Sequence, residues 1–205
     1  TASDDGVNAS TGTGSSQGGG GMASDGALLT ISGGTLLVNA EGDGLDSNGS
    51  MLITGGTTVV SGPTGSGNGS LDSNGGITIS GGTVLAAGSA GMAETPGTDS
   101  SQGWVAVTLD QAVAAGETVS IVKDQTVIAS YTAVKQIQSL VLSDPDITTG
   151  QSYDVYVGAK LAGTTVGTYS DSGDLTGATK STSVTAGEGA STGMGGGHGG
   201  GGKRP

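Results

Sequence analysis

The chain has 205 residues, of which 44 are glycine and none is cysteine, and its formal net charge at pH 7 is −12. The lack of cysteine excludes a disulfide framework and a thiolate metal site. The shortage of lysine and arginine excludes nucleic acid as a partner, because affinity for phosphate depends on these residues.

The first half of the chain is built on a repeat. Gly-Gly pairs recur in LTISGGTLLV from Leu29, LITGGTTVV from Leu52 and ITISGGTVLA from Ile77, with spacings of 22 and 26 residues. Such a period is too short for a βαβ unit, which needs about thirty residues, and is typical of one coil of a parallel β-helix. We therefore predict a parallel β-helix of few coils over residues 1–103, in which the three isoleucines Ile31, Ile53 and Ile79 stack in the core.

The beginning of the sequence, SDDGVNAS, is itself a variant of a corner motif that returns as GDGLDSN from Gly42 and NGSLDSN from Asn68. Since a domain does not normally begin inside a structural repeat, we expect further coils and a targeting signal upstream. Residues 11–23 interrupt the repeat, and we predict a long surface loop there.

The corners are acidic, and residues 1–103 contain no lysine or arginine. Stacking places equivalent carboxylates about 4.8 Å apart, where they raise each other's pKa or bind a cation. Calcium accepts irregular sets of about six to eight oxygens. The predicted calcium ligands are Asp5, Asn8, Asp43, Asp46, Asn48, Asp72 and Asn74. The alternative is that these side chains only accept backbone N–H groups in Asx turns, and the sequence leaves both interpretations open.

The second half of the chain has a different texture. Residues 104–109, 117–124, 126–133, 138–144, 152–158 and 166–170 alternate between apolar and polar positions and predict antiparallel strands. We expect residues 104–187 to form a small antiparallel cap or sandwich that covers the open end of the coils. Residues 188–205 are glycine-rich and are predicted to form a flexible tail, in which His198 is solvated.

Catalysis is disfavoured by what the coils lack. A lyase of the pectate-lyase type needs a basic side chain, and the coils have no lysine, arginine or histidine. An inverting hydrolase needs two carboxyl groups about 6.5–9.5 Å apart, which Asp43, Asp46 and Asp72 are able to supply. However, the coils have no aromatic side chain to hold a sugar ring. We therefore predict a non-catalytic protein, with polysaccharide hydrolase or lyase as the disfavoured alternative.

The segments SDDGVNAS, GDGLDSNGSMLITGGTTVVSG and LDSNGGITISGGTVLAAG resemble the bacterial carbohydrate-binding parallel β-helix family, whose architecture is related to that of pectate lyases. The resemblance covers residues 3–103, and residues 104–187 match in position and strand texture. It implies a right-handed β-helix with calcium at the corners, most directly at Asp43, Asp46 and Asp72. Gly69 and Ser70 depart from the motif, because they replace the Asp-Gly of the second corner.

The function that the resemblance implies is calcium-dependent, non-catalytic binding of plant cell-wall polysaccharide. The expected ligands are acid sugars such as polygalacturonate, with cellulose as a further candidate, and the expected location is secreted or cell-surface. The alternative is a structural or adhesive stalk in which calcium only stiffens the coils and no glycan binds. The sequence identifies no carbohydrate-binding residues.

Overall fold

The structure is a computed structural model that describes residues 1–12 and 24–189. The predicted loop at 11–23 and the predicted tail at 188–205, including His198, lie almost entirely outside the described residues. The described chain is all-β, with fifteen strands and no helix, and it therefore contains no helix able to cross a membrane. The strands are β1 (Val7–Ala9), β2 (Leu28–Asn39), β3 (Leu45–Ser47), β4 (Ser50–Ser61), β5 (Leu71–Ser73), β6 (Ile77–Ile79), β7 (Thr83–Gly88), β8 (Trp104–Val113), β9 (Thr118–Lys123), β10 (Thr126–Thr132), β11 (Ile137–Ser143), β12 (Ser152–Val157), β13 (Lys160–Val166), β14 (Tyr169–Asp174) and β15 (Thr179–Thr185).

Three sheets are formed by these strands. The corner sheet has the order β1-β3-β5, the central sheet β2-β4-β7-β11-β8 with β6 also paired to β4, and the outer sheet β13-β14-β10-β9-β12-β15. The corner sheet is parallel, the central sheet is mixed and the outer sheet is antiparallel. The all-β class predicted from the sequence is therefore confirmed, whereas a parallel β-helix is not shown, because two of the three sheets are mixed or antiparallel. We use the word coils below only for the repeated segments within residues 1–12 and 24–103.

The parallel pairings follow the sequence repeat. Ile31 pairs with Ile53 and Ile53 with Ile79, as predicted from the alignment of the Gly-Gly segments. Leu45 and Leu71 of the corner sheet also pair in register and are fully buried. Because a parallel ladder places equivalent residues beside each other, one apolar position in the repeat produces a continuous apolar row in the core.

The second glycine of each Gly-Gly pair is required by the backbone. Gly34, Gly56 and Gly82 have φ values of 80°, 88° and 84°, in the left-handed region that glycine adopts without a Cβ penalty. A Cβ on Gly56 would lie 2.7 Å from backbone atoms of Gly33 and Gly34, and one on Gly82 would lie 2.5 Å from the Gly56 carbonyl oxygen. The repeated glycine therefore permits both the bend and the close stacking of successive bends.

The central sheet is buried on both faces at strands β7 and β11. Along β7, Val84 and Ala86 belong to the core shared with the corner sheet, whereas Leu85 belongs to the core shared with the outer sheet. Strand β11 repeats this alternation, with Val141 in the first core and Leu142 in the second. Continuous apolar runs such as these are the expected sequence of a strand covered on both sides.

The region after residue 103 is joined to the coils through this sheet. Strand β11 pairs antiparallel with β7, with Leu142 opposite Leu85, and β8 then pairs with β11. The strand predicted at 166–170 is wrong, because residues 167 and 168 form the turn between β13 and β14. Strands β13 and β15 were missed by the sequence analysis, since they are largely exposed and carry few apolar residues.

Candidate functional site

The corner sheet presents a column of polar side chains. Asn8, Asp46 and Asp72 are register partners in three successive parallel strands. They alternate with buried Leu45, Leu71 and Ser47, so they lie on the opposite face of the sheet. The stacking of Asp46 on Asp72 and of Asn8 on Asp46 agrees with the pairing that the sequence repeat predicts. The Asn8 side-chain amide donates to a carboxylate oxygen of Asp46 and, over 3.1 Å, to Asp5.

A second row of carboxylates connects successive turns of the chain. Asp5 accepts the backbone N–H of Asp43 at 2.9 Å, and Asp43 accepts the backbone N–H of Gly69 at 2.6 Å. Each aspartate thus satisfies the N–H of the equivalent residue in the next coil. As in the Asx-turn interpretation, these carboxylates accept backbone N–H groups. The bonds differ from Asx turns because they join residues of different coils and not neighbours in sequence.

The third corner departs from the motif for a steric reason. Gly69 occupies the position equivalent to Asp5 and Asp43, and a Cβ there would lie 2.3 Å from the carbonyl oxygen of Met92. The segment that leaves the coils therefore covers this position, and an aspartate side chain does not fit. The substitution of Gly for Asp ends the row of aspartates at the third coil.

Glu94 joins the acidic corner, which the sequence analysis did not predict. The Glu94 carboxylate is partly buried and accepts the backbone N–H of Ser73 at 3.0 Å. Burial raises its pKa, and the nearby charge of Asp72 raises it further. Asp99 is exposed, with its carboxylate bonded to the Thr78 hydroxyl at 2.8 Å. Glu94 lies outside the repeat, so no alignment could have placed it here.

We refer to the group Asp5, Asn8, Asp43, Asp46, Asp72 and Glu94 as the acidic face. Its electrostatics are unfavourable to ionisation: burial, followed by the charges of Asp72, Asp5 and Asp43, raises the pKa of Asp46 to about 6. Burial likewise raises the pKa of Asp43. The ion pairs of the described residues, Lys123–Asp124, Lys135–Glu41 and Lys180–Asp154, do not include the acidic face. Its negative charge therefore has no basic side chain to balance it within the described residues.

The remaining residues of the corner motif divide into two groups. Ser47 and Ser73 are buried and bond backbone groups of the bends. Asn48 and Asn74 directly follow β3 and β5, and their backbone N–H groups bond to Ala9 and Ser47. Their side-chain amides form no hydrogen bond within the described chain, and their role as ligands stays a prediction.

The oxygen atoms of the acidic face are of the type that calcium binds, but they do not form a complete coordination site. Asp72 has both carboxylate oxygens without a hydrogen-bond partner among the described residues, and Asp46, Asp43 and Glu94 each have one such oxygen. Hard oxygen donors of this type are the ones calcium prefers. However, no three carboxylate, histidine or cysteine side chains of the described residues are gathered closely enough to hold a metal ion by themselves.

Comparisons with protein-family models, curated proteins and solved structures find no match to this chain. The features of the molecule that bear on function are therefore the residues of the acidic face and the sheets that position them.

Proposed function

We propose that this chain is a secreted or cell-surface module that binds acidic polysaccharide through calcium, without catalysis. The proposed ligand is a polyuronate such as polygalacturonate, with cellulose as a further candidate. The first half of the chain is proposed to be a short right-handed parallel β-helix whose corners form the binding surface. The antiparallel region is proposed to hold these coils in place.

The observation that carries this proposal is the in-register stacking of Asp46 on Asp72 without a basic partner. Two stacked carboxylates repel each other, and the raised pKa of Asp46 has burial as its largest cause and this repulsion as the next. A divalent cation held by Asp46 and Asp72 would offset the repulsion and favour the ionised carboxylates. If the stacked carboxylates bound no cation, a neutral residue at position 46 or 72 would make the fold more stable.

The open arrangement of the ligands fits a shared metal site. Asp46 and Asp72 would hold the cation, with Asp43 and Glu94 beside them. Two oxygens of Asp72 and one from each of the other three carboxylates lack a hydrogen-bond partner among the described residues, and these five are fewer than the roughly six to eight oxygens that calcium takes. When bound, calcium supplies positive charge that attracts the carboxylates of a uronate chain. Carboxylates of the polymer and water would complete the coordination, so protein and polymer bind the same ion.

A second candidate function is favoured by a different observation. Asp5 and Asp43 use a carboxylate oxygen to accept the backbone N–H of the next coil, which is a structural role. In a calcium-stiffened stalk without glycan binding, the whole acidic face would serve to hold the coils together. This candidate and the first share the metal and differ in the polymer.

Co-sedimentation with insoluble polygalacturonate tests the proposal. We expect the protein to leave the supernatant in the presence of calcium and to remain there in the presence of a chelator. The double variant Asp46→Asn/Asp72→Asn should lose at least about tenfold in affinity, because each bridging ion loses two carboxylate ligands. The matched control is Asp110→Asn/Asp124→Asn, which removes the same charge from exposed positions outside the acidic face.

The possible outcomes separate the candidates. Binding that persists in chelator contradicts the calcium bridge. Absence of binding in both buffers, together with a calcium-dependent rise in melting temperature, supports the stalk. Oligosaccharides released into the supernatant would contradict the non-catalytic assignment.

A further inference from the structure

Three asparagines of the coils, Asn48, Asn68 and Asn74, are each followed directly by glycine. Asparagine is a thermolabile residue, and a glycine after it leaves the backbone nitrogen unhindered by a side chain. That nitrogen attacks the carboxamide carbon of the asparagine, forms the new C–N bond of a succinimide ring and expels ammonia. Water then opens the ring to aspartate or isoaspartate, so the net reaction consumes one water and releases one ammonia. The three pairs are therefore candidate sites of modification.

The glycine of each pair is required by the packing of the coils. A Cβ on Gly49 would lie 1.9 Å from the carbonyl oxygen of Ala27, and one on Gly69 would lie 2.3 Å from that of Met92. A Cβ on Gly75 would lie 2.8 Å from the carbonyl carbon of Gly49. A larger residue, which would slow the attack, therefore does not fit at these positions without a shift of the backbone.

In the second and third pairs, the glycine N–H is bonded to another coil. Gly69 donates to the carboxylate of Asp43 over 2.6 Å, and Gly75 donates to the carbonyl oxygen of Gly49 over 2.8 Å. The nitrogen has to give up this bond before it attacks, and the bond breaks only when the two coils move apart locally. The coils therefore protect Asn68 and Asn74.

The first pair has only a local bond. The N–H of Gly49 donates to the hydroxyl oxygen of Ser47, two residues earlier, over 3.2 Å, which is the longest of the three bonds. A bond between a serine side chain and a nearby backbone group opens by a small rotation and needs no separation of the coils. The side chain of Asn48 is partly exposed and forms no hydrogen bond within the described chain, so its carboxamide is free to react.

We propose that Asn48 is a modification site of the folded protein and deamidates ahead of Asn68 and Asn74. The inference depends on the backbone bonds of the corners and not on calcium or a glycan.

The modification changes the corner in two ways. Either product places a new carboxylate two residues after Asp46, in a region whose negative charge has no basic partner among the described residues. Isoaspartate also adds a methylene group to the backbone directly after Ser47, which pairs in register with Ser73. Because parallel pairing depends on register, the modified chain holds β3 against β5 less firmly.

Timed incubation of the intact chain at mildly alkaline pH tests the proposal. Peptic digestion in acid, where deamidation is slow, followed by mass spectrometry reports the conversion of each asparagine separately. In guanidinium chloride the three sites should convert at similar rates, because each is an Asn-Gly pair without protection. In the folded chain, Asn68 and Asn74 should convert at least about tenfold more slowly than in denaturant, and Asn48 should convert before both.

Two serine variants provide a matched comparison. Ser47→Ala removes the acceptor of the Gly49 N–H and should speed the conversion of Asn48 by about three- to tenfold. Ser73→Ala is the control at the equivalent position, because the Ser73 hydroxyl accepts no bond from Gly75, and Asn74 should keep its rate.

The outcomes are decided site by site in the same digest. The proposal is overturned if Asn68 or Asn74 converts as fast as Asn48 in the folded chain, or if a folded Ser47→Ala variant leaves the rate at Asn48 unchanged. A Ser47→Ala variant that unfolds will show the rates of the denatured chain at all three sites, and the order of conversion in the wild type then decides.

Discussion

The coils and the antiparallel region differ in which charged side chains they place beside each other. In the coils, parallel register places equivalent residues beside each other, so Asp46 meets Asp72 just as Ile31 meets Ile53. In the outer sheet, antiparallel pairing joins unrelated positions, and Lys180 lies 2.8 Å from Asp154. Parallel stacking of a repeat therefore places every residue type beside its own copies. Stacked apolar residues stabilise the fold by burial, whereas stacked like charges destabilise it by repulsion. The acidic face is a consequence of this geometry.

The largest effect is expected where stacking leaves no room for a side chain. Gly56→Ala forces alanine into a left-handed conformation and drives its Cβ to 2.7 Å from the backbone of the preceding coil. We expect a loss of about 3 kcal/mol or more in the free energy of unfolding, measured by urea titration. Gly116→Ala is the control, because Gly116 has φ 87° and nothing within 4 Å of the added Cβ. It should lose only about 1–2 kcal/mol, and equal losses would show that stacking adds nothing.

A smaller effect is expected at the bond that links the two regions. The hydroxyls of Ser61 and Tyr131 are 2.7 Å apart and buried, and they join β4 of the coils to β10 of the outer sheet. Tyr131→Phe leaves the Ser61 hydroxyl without its partner and should lower the free energy of unfolding by about 1–2 kcal/mol. Tyr156→Phe, at a partly exposed ring without a hydrogen bond, is the control. If the regions are one cooperative unit, fluorescence and circular dichroism will report a single transition in both variants.

A still smaller effect is expected from neutralising the column. The folded pKa of Asp46, about 6, lies above its ordinary value of 3.8, so the folded state binds the proton more tightly. The stabilisation by this proton is complete below pH 4 and is lost as the pH rises through 6. In chelator at pH 7, Asp46→Asn should therefore be more stable than the wild type by about 1 kcal/mol, after allowance for solvent screening.

The pH profile of the same variant provides the check. Between pH 4 and 6 the stability of Asp46→Asn should fall less steeply than that of the wild type, because the titrating group is gone. If the dependence of stability on pH is identical in Asp46→Asn and the wild type, Asp46 is not the group that titrates, and the repulsion acts on another carboxylate of the acidic face.

The smallest effect is expected in the outer sheet. The pair Lys180–Asp154 is partly exposed, and the lysine lowers the pKa of Asp154. An exposed ion pair contributes little, so Lys180→Met should change the free energy of unfolding by no more than about 0.5 kcal/mol at low salt, and by less at high salt. A loss above about 1 kcal/mol in the free energy of unfolding of Lys180→Met would contradict the expected difference in charge effects between the outer sheet and the coils.

The repeat made much of the coil region predictable. Equivalent glycines and isoleucines at spacings of 22 and 26 residues were sufficient to place Ile31, Ile53 and Ile79 in one row. By contrast, Glu94 reaches the acidic corner through a backbone bond to Ser73, and such a bond leaves no pattern in the sequence. The pairing of β11 with β7 was also hidden, because antiparallel partners share no motif, although the run SLVL at 139–142 indicated burial on both faces.

The central sheet has a consequence for synthesis of the protein. Leu85 of the coils is buried against residues that follow Trp104, and β7 receives its second neighbour only from β11. While the first hundred residues leave the ribosome, one face and one edge of this sheet have nothing to cover them. We therefore expect the coils to remain incompletely folded until β11 has emerged, and a chain truncated near residue 103 to aggregate when expressed alone.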